Sequence, residues 1–248
     1  MTEFILAGPG LFAIALLFAA ALYSAVGHGG ASAYLALMAL AGFAPAEMRP
    51  LALTLNLFVS SIAFLQFRRV GAFDLRLFLL FAVAAIPMAY LGGSIDLGVD
   101  WHRRLLGMVL LASAAALAFR PERNFAETRP PQAFIALPTG AFLGLMAGLT
   151  GTGGGIFLSP LLILFRWCDP RMAAGISAAF IFCNSAAGLL GQGAQLSSMP
   201  DSTPWYILAV IAGGALGSRL SAVHLPRKAL LRLLALVLVI AGGKLLGL

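Results

Sequence analysis

Forty-three consecutive residues, Phe4 to Ala46, contain no Asp, Glu, Lys or Arg. As one straight helix they would extend about 65 Å, roughly twice the ~30 Å hydrocarbon core of a bilayer. The run must therefore turn back on itself. Its one strong break is Gly27-His28-Gly29-Gly30, which predicts a long helix up to about Val26 and a short one from about Ala31 to Phe43. A second charge-free run, the 36 residues Pro130 to Phe165, carries the same kind of break at Gly151-Thr152-Gly153-Gly154-Gly155.

Composition extends this beyond the two runs. Only 10% of residues are charged and 61% are hydrophobic, where soluble domains carry about 25% charge. The expected fold is an all-α polytopic integral membrane protein, and 248 residues leave room for roughly eight to ten membrane segments. The first run follows only Met1, Thr2 and Glu3, without the basic leader of a cleavable signal, so it is expected to persist as a helix. The net charge of +7 is read as topological, since Lys and Arg gather in cytoplasmic loops. No nucleic-acid partner is implied. Cys168 and Cys183 show no metal-ligand spacing and suggest no disulfide framework.

The two glycine breaks lie 124 positions apart, and the same offset carries Gly93-Ser94 onto Gly217-Ser218 and Arg103 onto Arg227. This predicts a duplication: a first membrane repeat over 1–122, a linker over 123–132 and a second repeat over 133–248. Each repeat has five segments, one of them short. The expected bounds are 4–26, 31–43, 50–67, 75–95 and 105–119, then 133–149, 156–165, 172–192, 204–220 and 230–247. An odd number of crossings per repeat would invert the second half, so that corresponding loops carry opposite charge bias. The loop with Arg68, Arg69 and Arg76 corresponds to Ala194 to Pro204, which has no basic residue. Counted through the chain, twelve basic residues fall on one side and four (Arg49, Arg103, Arg104 and Lys244) on the other. An inverted repeat with both termini outside is the reading, and the two short segments are expected to be half-helices or re-entrant arms.

Glycine-rich breaks at membrane depth need protein or a wet cavity around them, because lipid cannot satisfy exposed backbone. A short helix beginning at such a break aims free N–H groups and its positive dipole end at whatever lies there. Gly27, His28, Gly29 and Gly30 in one half, with Gly151, Thr152, Gly153, Gly154 and Gly155 in the other, are the candidate anion-binding residues. Thr54, Asn56, Ser177 and Asn184 join them from the third segment of each half, an amide being able to donate two hydrogen bonds to an anion. The competing readings are that the glycines let helices pack closely and that the polar groups bond across helices. His28 is the titratable group of the first run and a candidate for proton coupling. The segment centres hold no charged residue, and no Gly-x-Ser-x-Gly or His-Glu-x-x-His motif occurs, so no catalytic residue, metal or cofactor is assigned.

The segments GHGGASAYLALMAL (27–40) and GLTGTGGGIFLSPLLIL (148–164), each followed by an apolar helix with Ser, Thr and Asn, resemble the TauE/SafE family of bacterial membrane permeases. The resemblance covers nearly the whole chain. The second motif fits well, through Gly151, Gly153, Gly154, Gly155 and Pro160. The first departs, with His28, Ala31 and Ala36 where more glycine and a proline are typical. The resemblance implies a multi-pass protein of the bacterial inner membrane that exports a small sulfur oxyanion or organosulfonate such as sulfite. A passive anion channel is the alternative, and a non-transporting membrane enzyme or structural protein a more distant one. The expected partners are a small anionic substrate and the lipid bilayer, and small-residue stripes leave a homo-oligomer open.

Overall fold

A computed structural model describes residues 9–26, 30–118, 128–193, 199–220 and 227–247. These residues form ten helices: α1 (Pro9–Val26), α2 (Ala31–Ala41), α3 (Pro45–Arg69), α4 (Leu75–Ser94), α5 (Val99–Ala118), α6 (Ala133–Thr150), α7 (Gly155–Leu164), α8 (Pro170–Gln192), α9 (Thr203–Leu220) and α10 (Arg227–Leu246). Four of them, α3, α4, α6 and α8, are long and apolar enough to cross a bilayer. Large apolar side chains such as Phe18, Val83, Phe142, Leu190 and Leu208 point outward, as a lipid-facing surface requires. This is a multi-pass membrane protein.

The sequence placed the helices in this order but misjudged several starts, and capping explains why. In α3, Pro45 occupies the first turn, where its missing N–H costs nothing, and Glu47 reaches back to accept from the Ala44 N–H at 3.0 Å. The helix thus begins five residues before the expected Pro50, and Arg49, expected in a loop, becomes part of it. Likewise α5 begins at Val99 rather than 105, taking in Trp101, His102, Arg103 and Arg104. Charge had suggested a loop there, yet the Arg104 guanidinium lies over the Trp101 ring at 5.9 Å. The starts of α4 and α8 are fixed by Asp74 and Asp169, each accepting from two backbone N–H groups of the first turn at 2.8 and 3.1 Å.

Both short helices end alike. In α2, Phe43 N–H donates to Met38 at 3.0 Å and Gly42 to Ala39 at 3.3 Å, with Gly42 at φ +85°. In α7, Trp167 donates to Leu162 at 2.9 Å and Arg166 to Ile163 at 3.2 Å, with Arg166 at φ +55°. Each is a Schellman cap, and every member of the second lies 124 positions beyond its counterpart in the first.

Packing follows the same correspondence. In terms of the two repeats expected from the sequence, the first helix of each lies on the fourth helix of the other: α1 on α9 and α6 on α4. Gly140, Gly144 and Gly148 of α6 face Phe81, Ala85 and Ala89 of α4 in the same order, so these helices run parallel with backbones in contact. Gly213 and Gly217 of α9 meet Leu17 and Ala21 of α1 in the same way. The corresponding helices α3 and α8 instead pack antiparallel, Gly188 against Leu53 and Gly175 against Phe67. So do α5 and α10, where Gly107 faces Leu246 and Gly242 faces Leu111. One buried cluster gathers Leu16, Tyr23, Tyr34, Leu55, Leu106 and Leu238, and a second gathers Phe81, Leu158, Ile176 and Phe180.

A Cβ at Gly144 would collide with the backbone of Ala85. Gly144→Leu is therefore expected to cost on the order of 3 kcal/mol, read as a fall in the detergent-solubilised melting temperature. Gly243→Ala, with open space around its Cβ, should leave it unchanged. Cys168 sits in the α7–α8 connection, where burial, with Asp169 and Asp74 nearby, pushes its thiol up to about 12. The protonated thiol is a poor nucleophile. At pH 8 Cys168 should react with maleimide more than about tenfold slower than a cysteine introduced at the exposed Asp201.

Candidate functional site

The second glycine break is where the polar groups of the protein's interior converge. Helix α6 stops at Thr150 because Gly151 turns left-handed at φ +81°, its N–H bonding back to Ala147 at 2.9 Å. Gly153 and Gly154 follow at φ +71° and +75°, and α7 starts at Gly155. Three left-handed residues within four positions explain the glycines, since a Cβ is disfavoured there. The whole stretch from Gly151 to Ile156 is buried, so protein and not lipid surrounds the irregular backbone.

Around it stand α3 and α8. A Cβ at Gly153 would lie 2.9 Å from Asn56 Nδ2 of α3 and 3.1 Å from Ser185 Oγ of α8. Asn56 is 0% exposed, and neither its Oδ1 nor its Nδ2 has a hydrogen-bond partner. The same holds for both amide atoms of Asn184, also 0% exposed, and for Ser185 Oγ. Five unpartnered polar atoms are costly at about 1–3 kcal/mol for each group left so. Of these groups, the Asn56 amide and the Ser185 hydroxyl lie beside the backbone break at the N-terminal end of α7, and Asn184 precedes Ser185 on α8.

The other expected site residues divide. Thr152 pairs its hydroxyl with Thr150 at 3.0 Å, and Ser177 accepts from Ser159 at 2.6 Å. The first bond is local to the break, while the second joins α7 to α8, the interhelical role that the sequence left open. Thr54 is half-buried and donates to the Met199 sulfur at 3.6 Å, toward the α8–α9 connection. Gly155 packs against Ile181. In the first half Gly30 lies buried beneath the Tyr34 ring, and the buried Tyr34 hydroxyl has no partner. Gly27, His28 and Gly29, with the proton-coupling role suggested for His28, lie outside the described residues.

Two residues here were not singled out from the sequence. One is Ser185, which follows Asn184 on α8. Arg49 is 3% exposed. It donates from Nη1 to the Ile95 carbonyl at 3.0 Å and from Nη2 to the Gly92 carbonyl at 3.0 Å and to that of Gly93, gathering the orphan carbonyls that end α4. Its backbone also lies against Gly151, so one side chain ties α3 to the end of α4 beside the break. The signal was its position seven residues before Asn56, two turns along one face. Arg49→Met should strand those carbonyls and cost about 3 kcal/mol, measured by thermal or SDS-induced unfolding. Arg49→Lys, which keeps the charge and fewer of the bonds, should fall between.

Among known proteins, the sequence matches the model of the family described as "Sulfite exporter TauE/SafE" over residues 11–245. It is 38% identical over 238 residues, 94% of this chain and 96% of the relative, to "Probable membrane transporter protein y4hK" of Sinorhizobium fredii (strain NBRC 101917 / NGR234). No solved structure matches significantly. With the broken helices, the lipid-facing surface and the match along nearly the whole chain, the protein belongs to the TauE/SafE family of membrane transporters.

Proposed function

We propose that this protein is a secondary transporter of the bacterial inner membrane that exports a small sulfur oxyanion or organosulfonate, of which sulfite is the simplest, by alternating access. Its two halves, 1–122 and 133–248 joined by the linker 123–132, act as an inverted repeat. The antiparallel packing of α3 on α8 and of α5 on α10, each a pair of corresponding helices, supports the inversion. The exchange of α1 with α6 as partners of α9 and α4 supports it too.

The observation that carries the anion reading is the pair of unpartnered buried groups, the Asn56 amide and the Ser185 hydroxyl, beside Gly153, with the unpartnered Asn184 amide next to Ser185 in sequence. An oxyanion needs several donors and no acceptors directed at it. Two amide NH2 groups, one hydroxyl and the N–H groups at the start of α7 provide donors from three elements. None carries a full charge. A site built of neutral donors holds an anion without a permanent ion pair, which suits a carrier that must also release it. Gly27, His28, Gly29 and Gly30 are assigned the matching role in the first half, and Thr54, Thr152 and Ser177 border the second-half site.

Purified protein in detergent should be stabilised by one class in a panel of sulfite, thiosulfate, sulfoacetate, taurine, sulfate and acetate. At a hundred times its dissociation constant the stabilisation is about 2.7 kcal/mol. Asn56→Ala should weaken binding about tenfold or more, the value of a hydrogen bond to a charged group. Asn56→Asp, which places a carboxylate against the ligand, should abolish it. A melting temperature indifferent to every anion, or Asn56→Asp binding as the wild type does, would remove this assignment.

A further inference from the structure

Away from the Arg49 end of α3 the protein holds a cavity of about 230 Å³, room for several water molecules at ~30 Å³ each. It lies between the end of α1 (Ser24), the C-terminal half of α3 (Ala63, Gln66, Phe67), the start of α8 (Arg171) and α9 (Gly214). Among the described lining residues the single charged group is Arg171, and it is positive. The end of α3 that it adjoins also carries Arg68 and Arg69.

The cavity and the Asn56 cluster share one face of α3. Asn56, Val59 and Ala63 follow at spacings of three and four residues, so Val59 stands about 4.5 Å along the axis from the first and about 6 Å from the last. Val59 is buried. Gly214, which lines the cavity, is close to it: a Cβ there would lie 3.7 and 3.8 Å from the two Val59 methyl groups and 3.5 Å from Ser24 Oγ. The Val59 side chain therefore stands on this face of α3 between a cavity of mixed apolar and polar lining, with Arg171 as its positive charge, and the buried Asn56 amide, which has no partner. At the opposite end of α3 the Arg49 hydrogen bonds hold the α4 terminus against the break.

We propose that this cavity is the vestibule for the transported anion, with Arg171 as the residue that draws the anion in and Val59 as the closed gate before Asn56. The proposal rests on the anion-transport reading of the Asn56 cluster. In it, the fold is caught open toward its arginine-rich end and shut toward the Arg49 end. An anion held at Arg171 and Gln66 enters when the Val59 side chain moves aside, and one turn of α3 carries it to the Asn56 amide.

The test is charge-selective cysteine labelling in the full-length protein with Cys168 and Cys183 changed to Ala. Ala63→Cys should react with a small anionic methanethiosulfonate at least about fivefold faster than with a cationic one of equal size, as a nearby positive charge dictates. The ratio should fall toward one in Arg171→Gln. Asn56→Cys should react slowly when Val59 is present and about tenfold faster in Val59→Ala. Each variant is checked for a monodisperse elution profile, and Arg69→Cys serves as the exposed control. Ala63→Cys inert to both reagents while Arg69→Cys labels fully would overturn the vestibule. An Ala63→Cys ratio unmoved by Arg171→Gln would overturn the capture role, and Asn56→Cys unaffected by Val59→Ala would overturn the gate. These readouts need no substrate. Failure of anion binding in the thermal assay would instead remove the transport reading, leaving the labelling pattern to be judged separately.

Discussion

Backbone N–H and C=O groups inside a bilayer have to find partners within the protein, and this one requirement orders the structure. Unbroken helices meet it by themselves. The break from Gly151 to Gly155 cannot, so it is enclosed by α3, α6 and α8 until no part of it is exposed. That enclosure needs backbones in direct contact, which the glycine ladders of α6 and α9 permit by removing side chains from the helix contacts. It also needs the end of α4 to be satisfied beside the break, and the Arg49 guanidinium does this with three carbonyl partners. Among the buried side-chain atoms left without a partner, those of Asn56 and Ser185 lie against the break itself.

The sequence made some of this legible. Charge-free runs, glycine breaks and the 124-residue offset together gave the order of ten helices, because each is a local property of the chain. The starts of α3 and α5 differ from the expected ones for an equally local reason: charge is ordinarily a loop signal, whereas here Glu47 is a capping group and Arg104 stacks on Trp101. The site was half legible. Asn56 and Asn184 stood out as amides in apolar helices, each able to donate two hydrogen bonds, but the sequence does not reveal that the hydroxyls of Ser177 and Thr152 are engaged by Ser159 and Thr150. Only tertiary contacts separate a free polar group from a spent one. Arg49 was missed because its carbonyl partners lie more than forty positions away.

The two glycine classes in this protein do different things at the same depth. Gly140, Gly144 and Gly148 are helical and exist for what they lack, a Cβ between two backbones. Gly151, Gly153 and Gly154 exist for their positive φ, which reverses the chain and exposes the start of α7. The packing reading of small residues thus applies to the first set, and the proposed binding reading concerns only the second. The packed set holds the helices close enough for the second set to be surrounded by donors.

The polar residues of the site do not obey the repeat. At the offset of 125 that relates the starts of α3 and α8, Asn56 corresponds to Ile181 and Asn184 to Val59. Two perfect copies related by inversion would give the inward-facing and outward-facing forms equal free energy, and a population of one half each. Once the copies differ at the centre, the degeneracy is lifted, and every 1.4 kcal/mol of difference shifts the ratio of the two forms tenfold. In the inverted-repeat carrier proposed above, divergence between Asn56 and Ile181, and between Asn184 and Val59, would give the empty protein a resting side, a property that a duplicated gene acquires only after its halves begin to drift.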